Sequence, residues 1–143
     1  MIIIGHKLLK NTKITAITLF PFIILKKAAD RSNPVLINHE KIHLRQQAEL
    51  LVIFFYLWYL VEYYYWLYRL RDSFMAYKYI SFEREAYAME DDPDYLQTRK
   101  FWNFLKYRAW AVRIGEIERF VYICGWQTIP NEQENDKRST GRL

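Results

Sequence analysis

A long stretch without glycine or proline dominates this chain: neither residue occurs between positions 35 and 92. Glycine and proline are the residues that most often interrupt regular structure, so their absence favours long helices here. Pro34 suits the first turn of a helix, and the side chain of Asn33 can cap it. We therefore predict a long helix that begins at Pro34 and continues without interruption into the segment at residues 49–70.

That second segment is unusually apolar. Residues 50–61 are all apolar, and tyrosine and tryptophan dominate residues 63–68. A helix that is apolar on all sides is either buried or in contact with lipid. At about 1.5 Å per residue the segment is long enough to cross a bilayer. However, Glu62 would be costly inside the membrane, and the aromatic residues suit an interface. Two alternatives stay open: a buried or interfacial helix, and a membrane span.

The N-terminal part follows a different pattern. Residues 14–25 form an apolar run, rich in β-branched residues, that contains Pro21. Because proline in a sheet is confined to edges and bulges, we predict an edge strand here, or one arm of a hairpin that turns at Asn11-Thr12. The expected fold class is mainly α, a small α+β protein, with an N-terminal edge strand or hairpin followed by helices.

Two further helices are predicted downstream. Ser81 can cap a helix at residues 82–90, and a basic, aromatic helix is predicted at residues 95–112. Residues 130–143 contain almost no apolar side chains and are expected to be disordered. We therefore expect a single domain at residues 1–129 and a disordered C-terminal tail.

The composition constrains the binding partner. A net charge of +5 can indicate nucleic acid or an anionic membrane surface. The sequence has no glycine-rich phosphate loop and no nucleic-acid-binding motif. Its 12 tyrosines and 5 tryptophans favour a membrane interface. We therefore expect a membrane surface or lipid bilayer as partner, and no nucleic acid.

Residues 39–43 read H-E-K-I-H and carry the clearest chemistry. On a helix, His39 and His43 lie one above the other, so both imidazoles can bind one metal ion. A third protein ligand would leave the fourth corner of a tetrahedral zinc site for water. Glu40 lies about 100° round the helix from His39. Its carboxylate can take a proton from that water. With one cysteine in the chain, histidines and carboxylates must hold any metal.

The third ligand must come from another element. In the predicted helix at residues 82–90, Glu83, Tyr87 and Glu90 share one face, whereas Glu85 points elsewhere. Glu83 is therefore the candidate ligand. Tyr87, one turn further on, can donate a hydrogen bond to a ligating group or to a substrate oxyanion.

Together the two motifs resemble those of the gluzincin zinc metallopeptidases. The similarity is to small, membrane-associated bacterial members with H-E-x-x-H-x-x-Q and a later F-E-x-E-A-Y; here Gln46 completes the first pattern. The resemblance implies a zincin-like helical bundle and Zn2+ as the cofactor. It also assigns the functional residues, with Glu40 as general base and three zinc ligands: His39, His43 and Glu83.

The resemblance has further implications. It implies a peptide or protein substrate that pairs with the edge strand at residues 14–25. It also implies a location at the bacterial inner membrane, on the cytoplasmic side, with the cytoplasm as the alternative. One position departs from the pattern. Many gluzincins carry aspartate four residues after the ligand glutamate, as a partner for a ligand histidine, where this chain has Tyr87.

The expected function is therefore a membrane-associated zinc metallopeptidase, in which Glu40 activates water and Tyr87 stabilises the oxyanion. The alternative is a non-catalytic interaction module at the membrane surface, in which the metal only staples two helices together. The presence of Glu40 beside the metal ligands distinguishes the two hypotheses. A structural zinc site is closed by four protein ligands and has no use for a free carboxylate beside it.

Overall fold

The computed structural model describes residues 1–10, 12 and 14–108, which lie within one compact unit, Met1–Trp110. This part is mainly helical with a small N-terminal sheet, as predicted. The expectations for residues 109–143, including the domain limit at 129 and the tail, lie outside the described residues. In chain order the elements are β1 Ile2–Ile4, α1 His6–Leu9, β2 Ala16–Leu19, β3 Phe22–Leu25, a first 3-10 helix Ala28–Ser32, α2 Pro34–Glu49, α3 Ile53–Leu70, α4 Ser73–Lys78, α5 Ser81–Met89, α6 Tyr95–Thr98 and a second 3-10 helix Asn103–Tyr107.

The sheet has three strands in the order β1-β3-β2, with β1 parallel and β2 antiparallel to β3. The apolar run at residues 14–25 is therefore two strands of one hairpin, which turns at Phe20-Pro21 between the paired Leu19 and Phe22. The hairpin therefore turns at a different place from the predicted Asn11-Thr12, of which Asn11 lies outside the described residues. Pro21 cannot donate to a ladder, and its fixed φ suits the turn. β2 lies at the edge of the sheet, as expected.

Helix α2 begins as predicted but ends earlier. The side chain of Asn33 accepts a hydrogen bond from the backbone of Leu36, at 3.2 Å, and Pro34 is the first helical residue. The chain then bends by 112° into α3, so the prediction of one uninterrupted helix is wrong. Leu51 and Val52 have positive φ at this corner. Packing offsets the strain, because the bend lets Leu50 and Phe55 enter one core cluster.

Helix α3 faces the core with Phe55, Glu62 and Trp66. The carboxylate of Glu62 is fully buried and accepts hydrogen bonds from the Trp58 indole at 2.9 Å and from the Ser81 backbone and hydroxyl at 2.5 and 3.0 Å. Glu62 therefore caps the start of α5. Across residues 1–108, no single helix has both the length and the apolar character to cross a bilayer, whereas α2 and α3 pass that test together but with the bend between them.

The later helices differ from their predicted bounds. Ser81 is the first residue of α5 rather than its cap, because Glu62 satisfies its backbone N–H. The predicted helix at residues 95–112 is wrong within the described residues: α6 stops at Thr98. Arg99 turns inward and binds Glu85 at 2.7 Å, with a second ion pair to Glu49 at 2.5 Å. These buried ion pairs outweigh the local preference for a helix.

Candidate metal centre

Three buried side chains from two helices converge on one point. His39 and His43 come from α2, one turn apart, and Glu83 comes from the first turn of α5. The two Nε2 atoms are 3.1 Å apart. The Oε2 atom of Glu83 is 3.6 Å from His39 Nε2 and 3.5 Å from His43 Nε2. We call these three residues the metal centre. The structure thus brings together the three ligands that the sequence predicted.

The tautomer of His43 follows from its neighbour Gln46. The amide nitrogen of Gln46 donates to the Phe82 carbonyl at 3.1 Å and to Glu85 Oε2 at 2.8 Å. Both partners are acceptors, so the amide oxygen of Gln46 must face His43 Nδ1, 2.8 Å away. His43 Nδ1 therefore carries the proton. In the neutral ring, Nε2 presents a lone pair to the centre.

The same reasoning applies to His39. Its Nδ1 atom lies 2.7 Å from Glu90 Oε2, so Nδ1 donates and the neutral ring directs the Nε2 lone pair inward. Glu83 Oε2 is buried and accepts no hydrogen bond. With both rings neutral, two imidazole lone pairs and this carboxylate oxygen converge on one point, which a proton or a metal ion would stabilise.

The donor set fits zinc. Ligand bonds of about 2.0–2.1 Å in a tetrahedral site place neighbouring donor atoms about 3.3–3.4 Å apart. The three measured separations, 3.1, 3.5 and 3.6 Å, bracket this value. Two imidazole nitrogens and one carboxylate oxygen are also ligands that zinc accepts. The three side chains could therefore hold a metal ion, and zinc is among the ions that they fit.

Surrounding side chains hold the three donors in place. The hydroxyl of Tyr59 donates to Glu83 Oε1 at 3.0 Å, which directs Oε2 at the histidines. Glu83 lies in the first turn of α5, where the helix dipole favours a carboxylate. Glu90 orients His39, and Gln46 orients His43. Such outer contacts fix the ligand geometry and are characteristic of metal sites.

Without a metal the centre would hold protons. Burial opposes the positive charge on His39, but interactions with Glu83 and Glu90 outweigh it and raise the pKa of His39 to about 9. Burial likewise opposes the charge on His43, yet Glu83 raises its pKa. The pKa of Glu83 is lowered well below its usual range, against the effect of burial, by the charge on His43 and by contact with both histidines. The surroundings of the metal centre therefore stabilise a positive charge there, whether it is carried by protons or by a metal ion.

These shifts predict a pH dependence of metal binding. In the metal-free protein, the stabilisation from protonated His39 is fully present below pH 6.5 and is lost as pH rises through about 9. A metal requires the neutral ring, so protons compete with it. Its affinity should rise up to about pH 9, by about tenfold per pH unit for each proton displaced. The difference in melting temperature between zinc-loaded and metal-free protein should widen over this range; a constant difference would contradict the assignment.

Glu40 lies beside the centre without joining it. Its side chain is buried, and Oε2 accepts a hydrogen bond from the Thr18 hydroxyl at 2.5 Å. Thr18 belongs to β2, so the sheet edge sets the position of this carboxylate. The charge of Glu40 acts on both His39 and His43 and favours their protonated forms. Glu40 is therefore a buried carboxylate beside the three donor side chains but is not one of them.

Tyr87 also lies next to the metal centre, where its aromatic ring contacts the ring of His39. The ring centroid is 4.6 Å from that of His39, and the hydroxyl lies 3.2 Å from the hydroxyl of Tyr77. The ammonium of Lys78 is 3.4 Å from the Tyr87 ring centroid. Burial raises the pKa of Tyr87 to about 12, so its phenol stays protonated and can donate. Its predicted contact with an oxyanion stays a prediction.

Several supporting residues were not assigned from the sequence. Glu90 is the carboxylate partner of His39. In many gluzincins this partner is an aspartate at the position that Tyr87 occupies here. The sequence did place Glu90 on the same helix face as Glu83, and this could have identified it. The contact of Tyr59 with Glu83 could not be predicted from local spacing, because Tyr59 belongs to another helix. Glu85 points away, as predicted, and joins Gln46 to Arg99 in a buried network that also includes Tyr95 and Asn103.

Comparison with protein-family models, with curated proteins and with solved structures finds no match for this chain.

Proposed function

We propose that this protein is a membrane-associated zinc metallopeptidase that hydrolyses peptide bonds. One observation carries the proposal: a buried carboxylate, Glu40, is fixed by Thr18 beside three metal-binding side chains but is not one of them. Three protein ligands are typical of catalytic zinc sites, which keep one position for water or substrate. The resemblance to gluzincins supports the same reaction and predicts the inner membrane as the location.

The residues divide the chemistry between them. Zinc held by His39, His43 and Glu83 would supply Lewis-acid chemistry that polarises a carbonyl and makes water more acidic. Glu40 would accept the proton of the attacking water and then deliver it to the leaving amine, so that the base is regenerated. Tyr87, protonated because its pKa is about 12, would donate a hydrogen bond to the developing oxyanion.

The sheet edge would receive the substrate. An extended peptide can add to a free edge strand through backbone hydrogen bonds, and β2 is such an edge next to Glu40. Some backbone groups at this edge already have hydrogen-bond partners within the protein. The side-chain amide of Gln47 bonds the Thr18 carbonyl at 2.9 Å and the Phe20 N–H at 2.8 Å. A peptide would therefore pair with the half of β2 that begins at Ala16.

A metal staple is the second candidate function. The burial of all three donors and the link between α2 and α5 favour it, because a closed metal would fasten the two helices together. The role of Glu40 distinguishes the two functions. A staple gains nothing from this carboxylate, and three donors are one fewer than a structural zinc site uses.

Removal of the metal tests the proposal. The purified full chain, in detergent or lipid, should cleave an unstructured protein substrate. A chelator should abolish cleavage and one equivalent of zinc should restore it, since the metal is required for the reaction. A matched sample of His43→Ala should stay inactive after zinc is added. Absence of cleavage by the zinc-loaded protein would favour the staple.

A further inference from the structure

One face of α3 is apolar and exposed. Its side chains are between 49 % and 70 % exposed and follow helical spacing in a single stripe: Ile53, Phe54, Leu57, Leu60, Val61 and Tyr64. The opposite face, with Phe55 and Glu62, is buried in the core. An apolar stripe normally faces the interior of a protein. A second stripe facing outward marks an interaction surface.

Two other segments extend this surface at the corner between α2 and α3. The backbone of Phe20, at the hairpin turn, is bonded to Gln47, and the backbone of Trp102 is bonded to Glu49. Both partners lie in the last turn of α2, directly before the corner. Phe20 is 48 % exposed and Trp102 is 41 % exposed. We call the α3 stripe together with Phe20 and Trp102 the corner surface.

Charge identifies the partner of the corner surface. The exposed carboxylates of residues 1–108 are Asp72, which caps α4 just beyond the end of α3, and three at residues 91–94. The latter group lies near the other end of α2, where Asn38 bonds the Asp92 carbonyl at 2.8 Å. Near α3 the exposed arginines, Arg69, Arg71 and Arg108, outnumber the one exposed carboxylate, Asp72. Arg108 lies 5.5 Å from the Trp58 ring of α3, and Arg69 follows the stripe at the end of that helix.

We propose that the corner surface binds the interface of an anionic phospholipid bilayer, with α3 lying in the membrane plane. Aliphatic side chains would enter the acyl boundary. Tyrosine, tryptophan and arginine would occupy the headgroup level. A helix with an apolar face and cationic neighbours is the kind that lies in an interface. The proposal concerns residues that do not bind the metal, so it is independent of catalysis.

The orientation has a consequence for the substrate, which rests on the proposed function. Tyr59 reaches Glu83 from the buried face of α3, so the metal centre lies on the side away from the membrane. His43 and His39 precede Leu50 by about 10 and about 16 Å along α2, at 1.5 Å per residue. The substrate would then be an extended segment that lies a short distance above the lipid surface.

Vesicle binding tests the surface without any need for activity. The full chain should float with vesicles containing phosphatidylserine and bind pure phosphatidylcholine more weakly. Ile53→Glu should weaken binding by about tenfold or more, because a charge replaces an inserted side chain. Leu8→Glu is the matched control, since Leu8 is similarly exposed at 66 % but lies near the opposite end of the hairpin. Equal binding by both variants would overturn the proposal.

Depth measurements test the orientation. In a Cys124→Ser background, fluorophores at Leu57→Cys and Tyr64→Cys should be quenched to similar extents by spin-labelled lipids, whereas a fluorophore at Lys41→Cys should not. Strong quenching at one α3 site only would exclude an in-plane helix. If Ile53→Glu instead converts a dimer into a monomer, and the wild type binds no vesicles, a second copy covers the surface and the proposal is wrong.

Discussion

Glu40→Gln should retain the metal and lose about 10²–10⁴-fold in the rate of peptide hydrolysis, which is the usual contribution of a general base. Glutamine keeps the size of the side chain and can still accept the hydrogen bond from Thr18. It cannot take a proton from water. Zinc content should be unchanged because no ligand is lost. Initial rates and metal content should be measured on the same preparations of wild type and variant.

Thr18→Val provides a graded comparison for that result. This variant keeps the base but removes the hydroxyl that positions it. Its rate should fall by less than that of Glu40→Gln, and its pH profile should shift because the environment of Glu40 changes. Retained hydrolysis in Glu40→Gln would exclude the proposed mechanism. A staple predicts that Glu40→Gln has little effect on stability, while loss of His39 or His43 lowers it.

Glu83→Ala should lose stoichiometric zinc binding, with affinity weakened by orders of magnitude. It removes the carboxylate that joins the two histidines in the metal centre. It also removes the negative charge that would partly neutralise a bound metal ion. Titration of the metal-free protein with zinc measures this directly, since wild type should bind one equivalent per chain.

Tyr59→Phe is the matched variant for this second prediction. It retains Glu83 but removes the hydrogen bond to Oε1, so affinity should fall by about 10–100-fold. Glu85→Ala should instead destabilise the fold, because the buried guanidinium of Arg99 loses one of its two ion pairs. If Glu85→Ala abolishes binding in a folded protein while Glu83→Ala retains it, the ligand assignment is wrong.

The residues of the metal centre could be predicted because their spacing within each helix is local information. His39 and His43 share a helix face because they are four residues apart, and Glu83 and Glu85 diverge because they are two apart. The capping of α2 by Asn33 is similarly local. The edge strand follows from the apolar run around Pro21. In each case the deciding interactions lie within a few residues of one another along the chain.

Long-range contacts decided the features that the sequence did not predict. No glycine or proline marks the corner at Leu51 and Val52, since core packing imposes it. Arg99 ends α6 because Glu85 and Glu49, distant in sequence, bind its guanidinium. Glu62, whose charge would be costly in a membrane span, accepts a hydrogen bond from the Ser81 backbone inside the protein. These pairings have no local signature.

X-ray absorption at the zinc edge of the zinc-loaded full chain tests the metal centre most directly. The proposed site, with three protein ligands and a water, predicts about four nitrogen and oxygen neighbours at about 2.0–2.1 Å, with the outer-shell scattering of two imidazoles. His39→Ala should remove part of that scattering. A sulfur neighbour at about 2.3 Å would place the zinc on Cys124. That result, or a spectrum unchanged by His39→Ala, would contradict the assignment of His39, His43 and Glu83 as its ligands.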